Sequence, residues 1–596
     1  MKSDRIYLDV ECYIDYFLVS FLRESTGNIL DIEYHADKPL DKKKLAAIMG
    51  KNQTISFNGN GYDLYMIFAA LKGFSNAALK KLSDKIIKSN QASWRIAKDF
   101  DIHIPARWDH IDIMDVAPGM VSLKIYGGRL GAPKLQDLPI KPDDSITPDL
   151  REPMRLYCHN DLRTTQMLCN KLVKQIELRE SMSEQYGVDL RSKSDAQIAE
   201  TVIKSELEKM TGKTYRRFEA PDNYDFRYKD SGIIEFKTEK LKSIFKSILA
   251  HKFELSGNGS VKMPDFLKKE PIEFDGARYQ MGIGGLHSCE KQQYVKPSSN
   301  QLLFDIDVAS YYPNIILQQR MAPKSMGAPF LKVYQSIVDR RIKAKKAGDK
   351  VVADTLKIVV NGSFGKLGSK WSTLYAPELL IQTTITGQLA LLMLIEALAE
   401  KGVKTVSANT DGVVVLCDKD QEQTVEEIVF DWELTTSYTL ERTDYSAIAS
   451  RDVNNYLAVK PDGSTKGKGV FASPGLSKNP DALIVYNAVA NYVANGTPID
   501  RTVIECRDIK QFVKVRQVKG GAIWRDEELG KATRFYYSAD IPESECLRYV
   551  LNGNKVPMSD GARPLMDLPD EFPDDVGYYR YIQSANQLLK DIGYVN

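Results

Sequence analysis

The chain lacks the cysteine spacing of a metal or disulfide framework. Its seven cysteines are scattered from Cys12 to Cys546, and no two of them form a CxxC pair. This pattern argues against a zinc site and fits a reducing compartment. Residues 1–5 lead directly into a strand-like segment, which leaves no room for a signal peptide. We therefore expect a cytoplasmic protein.

Long apolar runs and a dominant charge are also missing. No run of 18 or more apolar residues occurs, so no membrane span is expected. The formal net charge of +2 does not by itself indicate a nucleic-acid binder. With 596 residues, the chain is too long for one core and should form several domains.

Carboxylates recur in short segments of the first third. Residues 6–11 alternate as a strand, so Asp9 and Glu11 project from one face, and residues 16–21 read as the hairpin partner. Acidic groups on the core side of a strand need a positive partner, and a divalent metal would supply it. An exposed polar face is the alternative interpretation of this segment alone.

Two further segments of the first third carry acidic residues. Residues 55–63 run from a strand through a loop into an apolar helix, with Asp63 in the N-cap position. Residues 156–161 follow a helical pattern, in which Tyr157 and Asp161 share one face at i, i+4.

In the second half, Asp307 follows an apolar strand and precedes Pro313, which restricts Tyr312 to extended geometry. Residues 332–350 hold seven basic and two acidic residues, a dense patch of the kind that phosphates attract. A solvated helix face is the alternative. Residues 405–415 form two β-rich runs joined by an Asp-Gly turn, which is also a plain hairpin signal.

In their order, the first three segments resemble the motifs of the DEDDy 3′–5′ exonucleases. The resemblance implies that four carboxylates hold two metal ions: Asp9, Glu11, Asp63 and Asp161. It also implies that Tyr157 orients the attacking water. Residues expected near a single-stranded 3′ end are Asn58, Tyr62, Ser122 and Leu123. Residues 122–126 and Lys134-Leu135 are expected to be accessory segments of the same domain.

Three later segments resemble motifs A (DxxSLYP), B (KxxxNSxYG) and C (YxDTDS) of family B DNA polymerases. The implied metal ligands are Asp307, Val308 and Asp411. The implied nucleotide contacts are Ser310, Tyr311, Tyr312, Arg341, Lys345, Lys357, Asn361 and Phe364, with Tyr312 excluding a 2′-hydroxyl. The implied DNA contacts include Gly284 and Gly285 in a glycine-rich loop and Tyr456 in a KxY-like segment.

The chain departs from these motifs at several positions. Gly362 and Phe364 replace the usual Ser and Tyr of motif B. In motif C, Ser407, Asn409 and Gly412 replace the usual Tyr, first Asp and Ser, and Asn409 lowers the negative charge expected at the metal site. In the KxY-like segment Asn454 lacks the lysine charge, and nearby Lys466 and Lys468 are candidates to compensate.

The resemblance implies an α/β and α+β multidomain fold, with an RNase H-like exonuclease domain and a right-hand polymerase. The predicted divisions are an exonuclease at 1–165, a helical connector and start of the palm at 166–300, palm at 301–330, fingers at 331–370, palm at 371–455 and thumb at 456–596. The absence of an extra N-terminal domain resembles replication enzymes of phages or mobile elements, for which the location would be the host cytoplasm.

The expected activity is primer extension with dNTPs on a DNA template, with Mg²⁺ or Mn²⁺ as two ions per site and 3′–5′ proofreading. Two alternatives stay open: a DEDDy exonuclease with a degenerate palm, and a non-catalytic single-strand DNA-binding scaffold. Expected partners are primer-template DNA, dNTPs, a separate primase, and a helicase or single-strand binding protein.

Motif spacing bears on how synthesis starts. Asp307 to Lys357 is 357 − 307 = 50 positions, and Asn361 to Asp411 is 411 − 361 = 50. Protein-primed relatives carry sizeable insertions in these intervals, and there is no room for them here. We therefore expect no terminal protein and extension from an ordinary 3′-hydroxyl.

Overall fold

A five-stranded sheet underlies the N-terminal part of the computed structural model, which describes residues 4–594. Its strands are β1 (Arg5–Cys12), β2 (Tyr16–Arg23), β3 (Ile29–His35), β4 (Gln53–Ser56) and β5 (His110–Asp112). They lie in the order β3-β2-β1-β4-β5, with β1 antiparallel to β2 and parallel to β4. The predicted hairpin of residues 6–21 is therefore present.

Helices cover this sheet: α1 (Lys42–Lys51), α2 (Asp63–Lys72), α3 (Asn76–Lys88), α4 (Ser93–Asp99), α5 (Leu123–Leu130) and α6 (Arg151–Lys171). Because side chains alternate along β1, Ile6, Leu8 and Val10 enter the apolar core shared with α2 and α3. Asp9 and Glu11 project from the other face. Helix α6 packs along β1 and β2, so its polar residues meet that face.

The segment predicted as a helical connector and start of the palm, residues 166–300, holds helices and short strands. It contains α7 (Val173–Tyr186), α8 (Asp195–Thr211), β6 (Asp225–Phe226), α9 (Glu239–Ala250), β7 (Phe253–Glu254), α10 (Asp265–Lys268), β8 (Ile272–Phe274), β9 (Ala277–Met281), β10 (Leu286–Ser288) and β11 (Gln293–Val295). Strands β8 to β10 belong to the large sheet of the second half.

That large sheet has seven strands. Its remaining members are β12 (Gln301–Val308), β13 (Lys404–Asn409), β14 (Gly412–Asp418) and β15 (Leu440–Tyr445). The order is β15-β12-β14-β13-β10-β9-β8. The antiparallel register of β12 and β14 sets Asp307 opposite Gly412, so the ends of the predicted motifs A and C meet at one edge.

Five helices accompany this sheet: α11 (Tyr311–Gln318), α12 (Ala328–Lys346), α13 (Lys350–Lys366), α14 (Pro377–Glu400) and α15 (Glu422–Thr436). The basic segment covers residues 332–346 of α12 and ends at the first residue of α13, and α12 and α13 share an apolar core with α8. The prediction of extended geometry at Tyr312 is wrong, because Tyr312 lies in α11. Pro313 stands in the first turn of that helix, where its missing N–H costs no hydrogen bond.

Among the described residues, one helix is long and apolar enough to cross a membrane by length and composition. This helix is α14, and 83% of its most apolar window is buried inside the protein. Its Leu, Ile and Thr side chains fill the core beneath the seven-stranded sheet. It is therefore the central core helix of this half.

The C-terminal part holds two smaller sheets. Its elements are β16 (Ala447–Asp452), β17 (Asn455–Val459), β18 (Thr465–Gly467), α16 (Leu483–Asn495), α17 (Ile499–Glu505), β19 (Lys514–Trp524), β20 (Glu527–Tyr537), β21 (Arg548–Tyr549), β22 (Ala562–Pro564) and α18 (Tyr578–Asp591). The sheet orders are β11-β16-β17-β18 and β21-β19-β20-β22.

A buried arginine joins the C-terminal part to the N-terminal part. The Arg534 guanidinium is fully buried and donates to the carbonyls of Ala132 and Leu565, each at 2.7 Å, and of Met566 at 3.0 Å. A buried guanidinium needs such acceptors to offset its lost hydration. The contact fixes the loop after α5 against β20 and the segment after β22.

Candidate active sites

The first candidate site is a group of four carboxylates between β1, α2 and α6. Asp9 and Glu11 come from β1, Asp63 from the start of α2, and Asp161 from α6. Asp63 is the first residue of α2 and not its N-cap, which is Tyr62, so that prediction is wrong. The structure brings all four predicted residues together: carboxylate oxygens of Asp9 and Glu11 lie within 4.8 Å of each other, and the charges of Asp9, Asp63 and Asp161 all raise the pKa of Glu11.

Burial and mutual repulsion dominate the electrostatics of this group. Burial, and then the Asp161 charge, raise the pKa of Asp9 to about 7. Burial and Asp9 likewise raise the pKa of Glu11 and of Asp63. Such a cluster is stable in its charged form only when cations are close.

One lysine that was not predicted as a site residue contacts this group. Lys124 Nζ lies 2.6 Å from both carboxylate oxygens of Asp161 and 4.0 Å from the centre of the Tyr157 ring. The predicted accessory segment includes Lys124, but only Ser122 and Leu123 were singled out within it. A lysine at the start of α5 is the signal that could have identified this contact.

A cysteine also faces the carboxylates. The Cys158 thiol is buried and donates to Asp9 Oδ2 at 3.3 Å. Donor atoms of Asp9, Glu11 and Cys158 all lie within 4.8 Å of one another. Cys158 directly follows Tyr157 on α6, so the helix that carries two predicted site residues supplies this contact as well.

The loop before Asp63 is held by a buried carboxylate outside the predicted set. Asp112, on β5, accepts hydrogen bonds from the backbone N–H groups of Asn58 and Asn60, each at 2.9 Å. Asn58 adopts a left-handed conformation with φ 68°. The Tyr62 hydroxyl, predicted to lie near a DNA end, pairs with Ser83 Oγ at 2.7 Å. Ser122 is the N-cap of α5, with Leu123 as its first residue.

The second candidate site lies at the edge of the seven-stranded sheet. Asp307 is the next-to-last residue of β12, and Asp411 lies in the turn between β13 and β14. The Val308 N–H donates to the Asp411 carbonyl at 2.7 Å and fixes the two segments together. The turn itself is Thr410-Asp411, with Thr410 at φ 53°, and Gly412 already belongs to β14, so the predicted Asp-Gly turn is wrong by one residue.

The absence of a side chain at Gly412 has a steric explanation. A Cβ at this position would lie 2.0 Å from Asp307 Oδ1, closer than any real contact. The serine usual in motif C would therefore displace the Asp307 carboxylate. Glycine at this position therefore leaves the space that the Asp307 carboxylate occupies.

The absence of a side chain at Gly362, on α13, has a comparable steric explanation. A Cβ there would lie 2.7 Å from the backbone oxygen of Asp195 on α8. Lys357 and Asn361 are both exposed on α13, one turn apart as predicted. Phe364 follows on the next turn.

Phe364 stacks on Tyr312, with ring centres 4.2 Å apart and planes inclined by 26°. The Tyr312 hydroxyl donates to the Gly284 carbonyl, which links the glycine-rich loop to this pair. In the same loop, a Cβ at Gly285 would lie 2.9 Å from the Cα of Thr410. The loop thus touches both the aromatic pair and the Asp411 turn.

Tyr311, the residue before Tyr312, lies in a different environment. Tyr311 is buried, and its hydroxyl donates to the Gly387 carbonyl of α14 at 2.6 Å. Its ring lies in the core, in contrast to the predicted nucleotide contact. Ser310, the N-cap of α11, accepts a hydrogen bond from Arg341 at 2.9 Å, and Lys345 lies 3.5 Å from Glu441.

A cavity of about 360 Å³ adjoins Asp307 and Asp411. Its walls include Tyr456, Lys466 and Lys468, so the two lysines proposed to compensate for Asn454 lie in the same cavity as Tyr456. Asp305, which was not predicted as a site residue, lines it too. A carboxylate two residues before Asp307 on a strand shares its face, and that spacing was the available signal.

The two principal carboxylates of this cavity differ in their neighbours. Burial, followed by the charge of Asp305, raises the pKa of Asp307 to about 7. Burial also raises the pKa of Asp411, against the opposing charge of Lys468. Asn409 is held through its amide, which donates to the Val453 carbonyl at 3.2 Å.

The donor chemistry of both sites suits a hard divalent cation. Carboxylate oxygens are the ligands that Mg²⁺ and Mn²⁺ prefer, and two or more converge in each site. The buried carboxylates of the first site have raised pKa values that a cation would reverse. The residues that would hold such ions are Asp9, Glu11, Asp63 and Asp161 in the first site, and Asp307 and Asp411 in the second.

Comparisons with known proteins give a structural likeness only. No family model matches the sequence, and no curated protein matches it. Among solved structures, the chain is similar to the family B DNA polymerase from the hyperthermophilic archaeon Pyrobaculum calidifontis, with a TM-score of 0.44 and 13% identity over all of this chain and 78% of that one. The argument for function therefore rests on the residues described above.

Proposed function

We propose that this chain is a DNA-templated DNA polymerase with 3′–5′ exonuclease activity. The observation that carries the proposal is the meeting of Asp307 and Asp411 beside the stacked Tyr312–Phe364 pair. A carboxylate pair next to an aromatic platform suits a nucleotide whose phosphates face the carboxylates and whose sugar and base lie on the rings.

The chain's own residues would divide the work of synthesis. Lys357 on α13, with Arg341 and Lys345 on α12, would neutralise the triphosphate, since lysine binds phosphate as a point charge. Tyr312 would lie under the sugar and exclude a 2′-hydroxyl. Divalent cations bound by the carboxylates would polarise the transferring phosphoryl group and stabilise the leaving oxygen.

The first site would remove mispaired 3′ ends. Tyr157, on the helix face that carries Asp161, would orient the attacking water, and Asn58 and Tyr62 would lie along the single strand. The two sites lie on different sheets, so each activity should be separable by substitution. Primer-template DNA and dNTPs are the proposed substrates, and an ordinary 3′-hydroxyl made by a separate primase is the proposed starting point.

Asn409 favours a second candidate function. Because it is neutral where the motif has an aspartate, the palm could be inactive and the chain a 3′–5′ exonuclease alone. The two functions predict different products from one substrate.

The test is a 5′-labelled primer annealed to a longer template, incubated with Mg²⁺ in the presence and absence of dNTPs. Extension with dNTPs and shortening without them supports the polymerase. Shortening under both conditions supports the exonuclease alone, and no change of length under either condition overturns both. A parallel reaction that offers template and protein without a primer tests the priming proposal: a nucleotide attached covalently to protein would contradict it.

A further inference from the structure

Asp305 is an acidic residue of the second site that the motifs do not include. It lies on β12 two residues before Asp307, and it is only 6% exposed. Its neighbours Phe304 and Ile306 point into the apolar core on the other face of the sheet. A carboxylate on such a strand costs folding free energy unless charged or polar groups meet it.

Two groups meet the Asp305 carboxylate. The Tyr445 hydroxyl donates to Asp305 Oδ2 at 3.1 Å, and Lys466 Nζ lies 3.3 Å from the same oxygen. Lys466 Nζ also lies 3.2 Å from the Tyr445 hydroxyl and 3.9 Å from Asp307 Oδ2. The lysine therefore bridges Asp305 and Asp307.

The other carboxylate oxygen of Asp305, Oδ1, faces Gly412 on β14, beside Asp307. A Cβ built at Gly412 would lie 3.2 Å from Asp305 Oδ1 and 2.0 Å from Asp307 Oδ1. The two carboxylates thus flank one point on β14. Two residues along a strand separate their Cα atoms by about 7 Å.

Asn409 stands farther from Asp307 than Asp305 does. In the register of the sheet, Asp307 lies opposite Gly412 and Gly412 lies opposite Asn409, so β14 separates the two residues. Two strand spacings amount to about 9–10 Å. Both Asp305 and Asn409 line the same cavity, one on each side of β14.

We propose that Asp305 is a positioning residue of the second site, which supplies the negative charge that Asn409 does not. The inference rests on the proposed function. Asp305 holds Lys466 against Asp307 and orients that carboxylate toward Asp411, and Lys466 offsets the cost of burying Asp305. The chain thus carries an acidic residue at position 305 on β12 and a neutral one at position 409 on β13, and both line the same cavity.

The test compares three variants: Asp305→Asn, Asn409→Asp and the double variant Asp305→Asn/Asn409→Asp. Binding of Mn²⁺ is measured by electron paramagnetic resonance in the Asp9→Ala/Glu11→Ala background, where the first site has lost two ligands. Primer extension is measured separately as a function of Mg²⁺ concentration. Asp444→Asn, an exposed carboxylate on β15, is the matched control.

We expect Asp305→Asn to weaken Mn²⁺ binding by about 10-fold or more, as for other groups that orient a metal ligand. The Mg²⁺ concentration for half-maximal extension should rise in the same variant. The double variant should recover binding to within about threefold of the parent, because the charge returns to β13. Asp444→Asn should bind as the parent does.

Two results overturn the proposal: unchanged Mn²⁺ binding in Asp305→Asn, or a double variant no better than that single variant. Loss of folding is separated by Asp305→Asn/Lys466→Met, which removes both members of the buried pair. If this variant keeps the parent's thermal midpoint and still binds Mn²⁺ weakly, the charge is responsible; if it binds normally, Asp305 serves only to pair with Lys466 and the proposal is wrong. Absence of extension in the parent protein would end the proposed function, whereas the Mn²⁺ binding would still decide the role of Asp305.

Discussion

The two carboxylate sites of this protein solve the same electrostatic problem differently. The first gathers four carboxylates and places one ammonium, Lys124, against one of them. The second brings Asp305, Asp307 and Asp411 together with two ammonium groups, Lys466 and Lys468, and a neutral amide at Asn409. The first site thus depends strongly on external cations, whereas the second carries much of its compensating charge in the chain.

Exposure does not divide the two sites. Asp9, Glu11 and Asp307 are partly exposed, whereas Asp63, Asp161 and Asp305 are 3%, 8% and 6% exposed. Each site therefore holds at least one carboxylate that water hardly screens. The two sites differ instead in the cationic side chains beside their carboxylates, and the predictions below test that contrast.

The largest expected effect is on synthesis. Asp307→Asn or Asp411→Asn should lower primer extension by at least about 10²–10³-fold, because the group that stabilises the transferring phosphoryl charge is lost. Removal of 3′ ends should continue at the parent rate, since Asp9 and its neighbours lie on another sheet. Single-turnover extension and single-strand digestion measure the two effects. Near-normal synthesis in either variant would remove the assignment of motifs A and C.

Substitutions in the first site should abolish digestion and leave synthesis intact. Asp9→Ala with Glu11→Ala should end digestion of single strands and leave extension rates intact, because half of the first cluster is removed. Digestion of a labelled oligonucleotide is the measurement, and extension on the same substrate is its control. Continued digestion would refute the nuclease site.

A smaller loss is expected from the lysine of the first site. Lys124→Met should slow digestion by about 10–100-fold, because Asp161 loses both of its charge-assisted hydrogen bonds and Tyr157 loses its neighbouring cation. Lys51→Met is the matched control, since Lys51 is exposed at the end of α1 and lies outside every predicted site segment. Equal digestion rates for the two variants would show that Lys124 has no part in the chemistry.

Sugar discrimination tests the aromatic pair of the second site. Tyr312→Ala should increase ribonucleotide incorporation by about 10-fold or more, because the side chain that would meet a 2′-hydroxyl is removed. Tyr312→Phe keeps the ring on Phe364 and loses only the bond to Gly284, so it should discriminate nearly as the parent does. Competition between dNTP and rNTP measures the ratio. Unchanged discrimination in Tyr312→Ala would show that another residue is the barrier.

The smallest expected effect is on stability. Folding raises the pKa of Asp9 and of Asp307 to about 7, so between their unfolded values near 3.8 and about pH 7 the folded state binds more protons than the unfolded chain. Stability of the metal-free protein should therefore fall as the pH rises through this window. Added Mg²⁺ should oppose the fall.

Thermal midpoints in EDTA at pH 5.5 and pH 8 provide the measurement. Asp9→Asn should flatten the pH dependence more than Asp307→Asn does, because two ammonium groups, Lys466 and Lys468, line the cavity beside Asp307 and offset part of its charge. An equal effect of the two substitutions would contradict the contrast between the sites. The same midpoints with added Mg²⁺ would show which site gains more from the ion.

Local pattern determined much of this protein. Alternation predicted β1 with Asp9 and Glu11 on one face, helical spacing paired Tyr157 with Asp161, and the apolar run before Asp307 predicted β12. These features depend on neighbours in the chain, which a sequence shows directly. The resemblance to known motifs then indicated which acidic residues should cluster, and it omitted Asp305.

Tertiary structure alone decided the groups that complete each site. Lys124 meets Asp161 across 37 positions, and Lys466 meets Asp305 across 161. Tyr311 and Tyr312 are adjacent in sequence, yet one ring enters the core and the other stacks on Phe364. Gly412 is required because a carboxylate from another strand fills the space of its missing side chain. Such contacts depend on how elements distant in the sequence pack, and local secondary-structure propensity does not predict them.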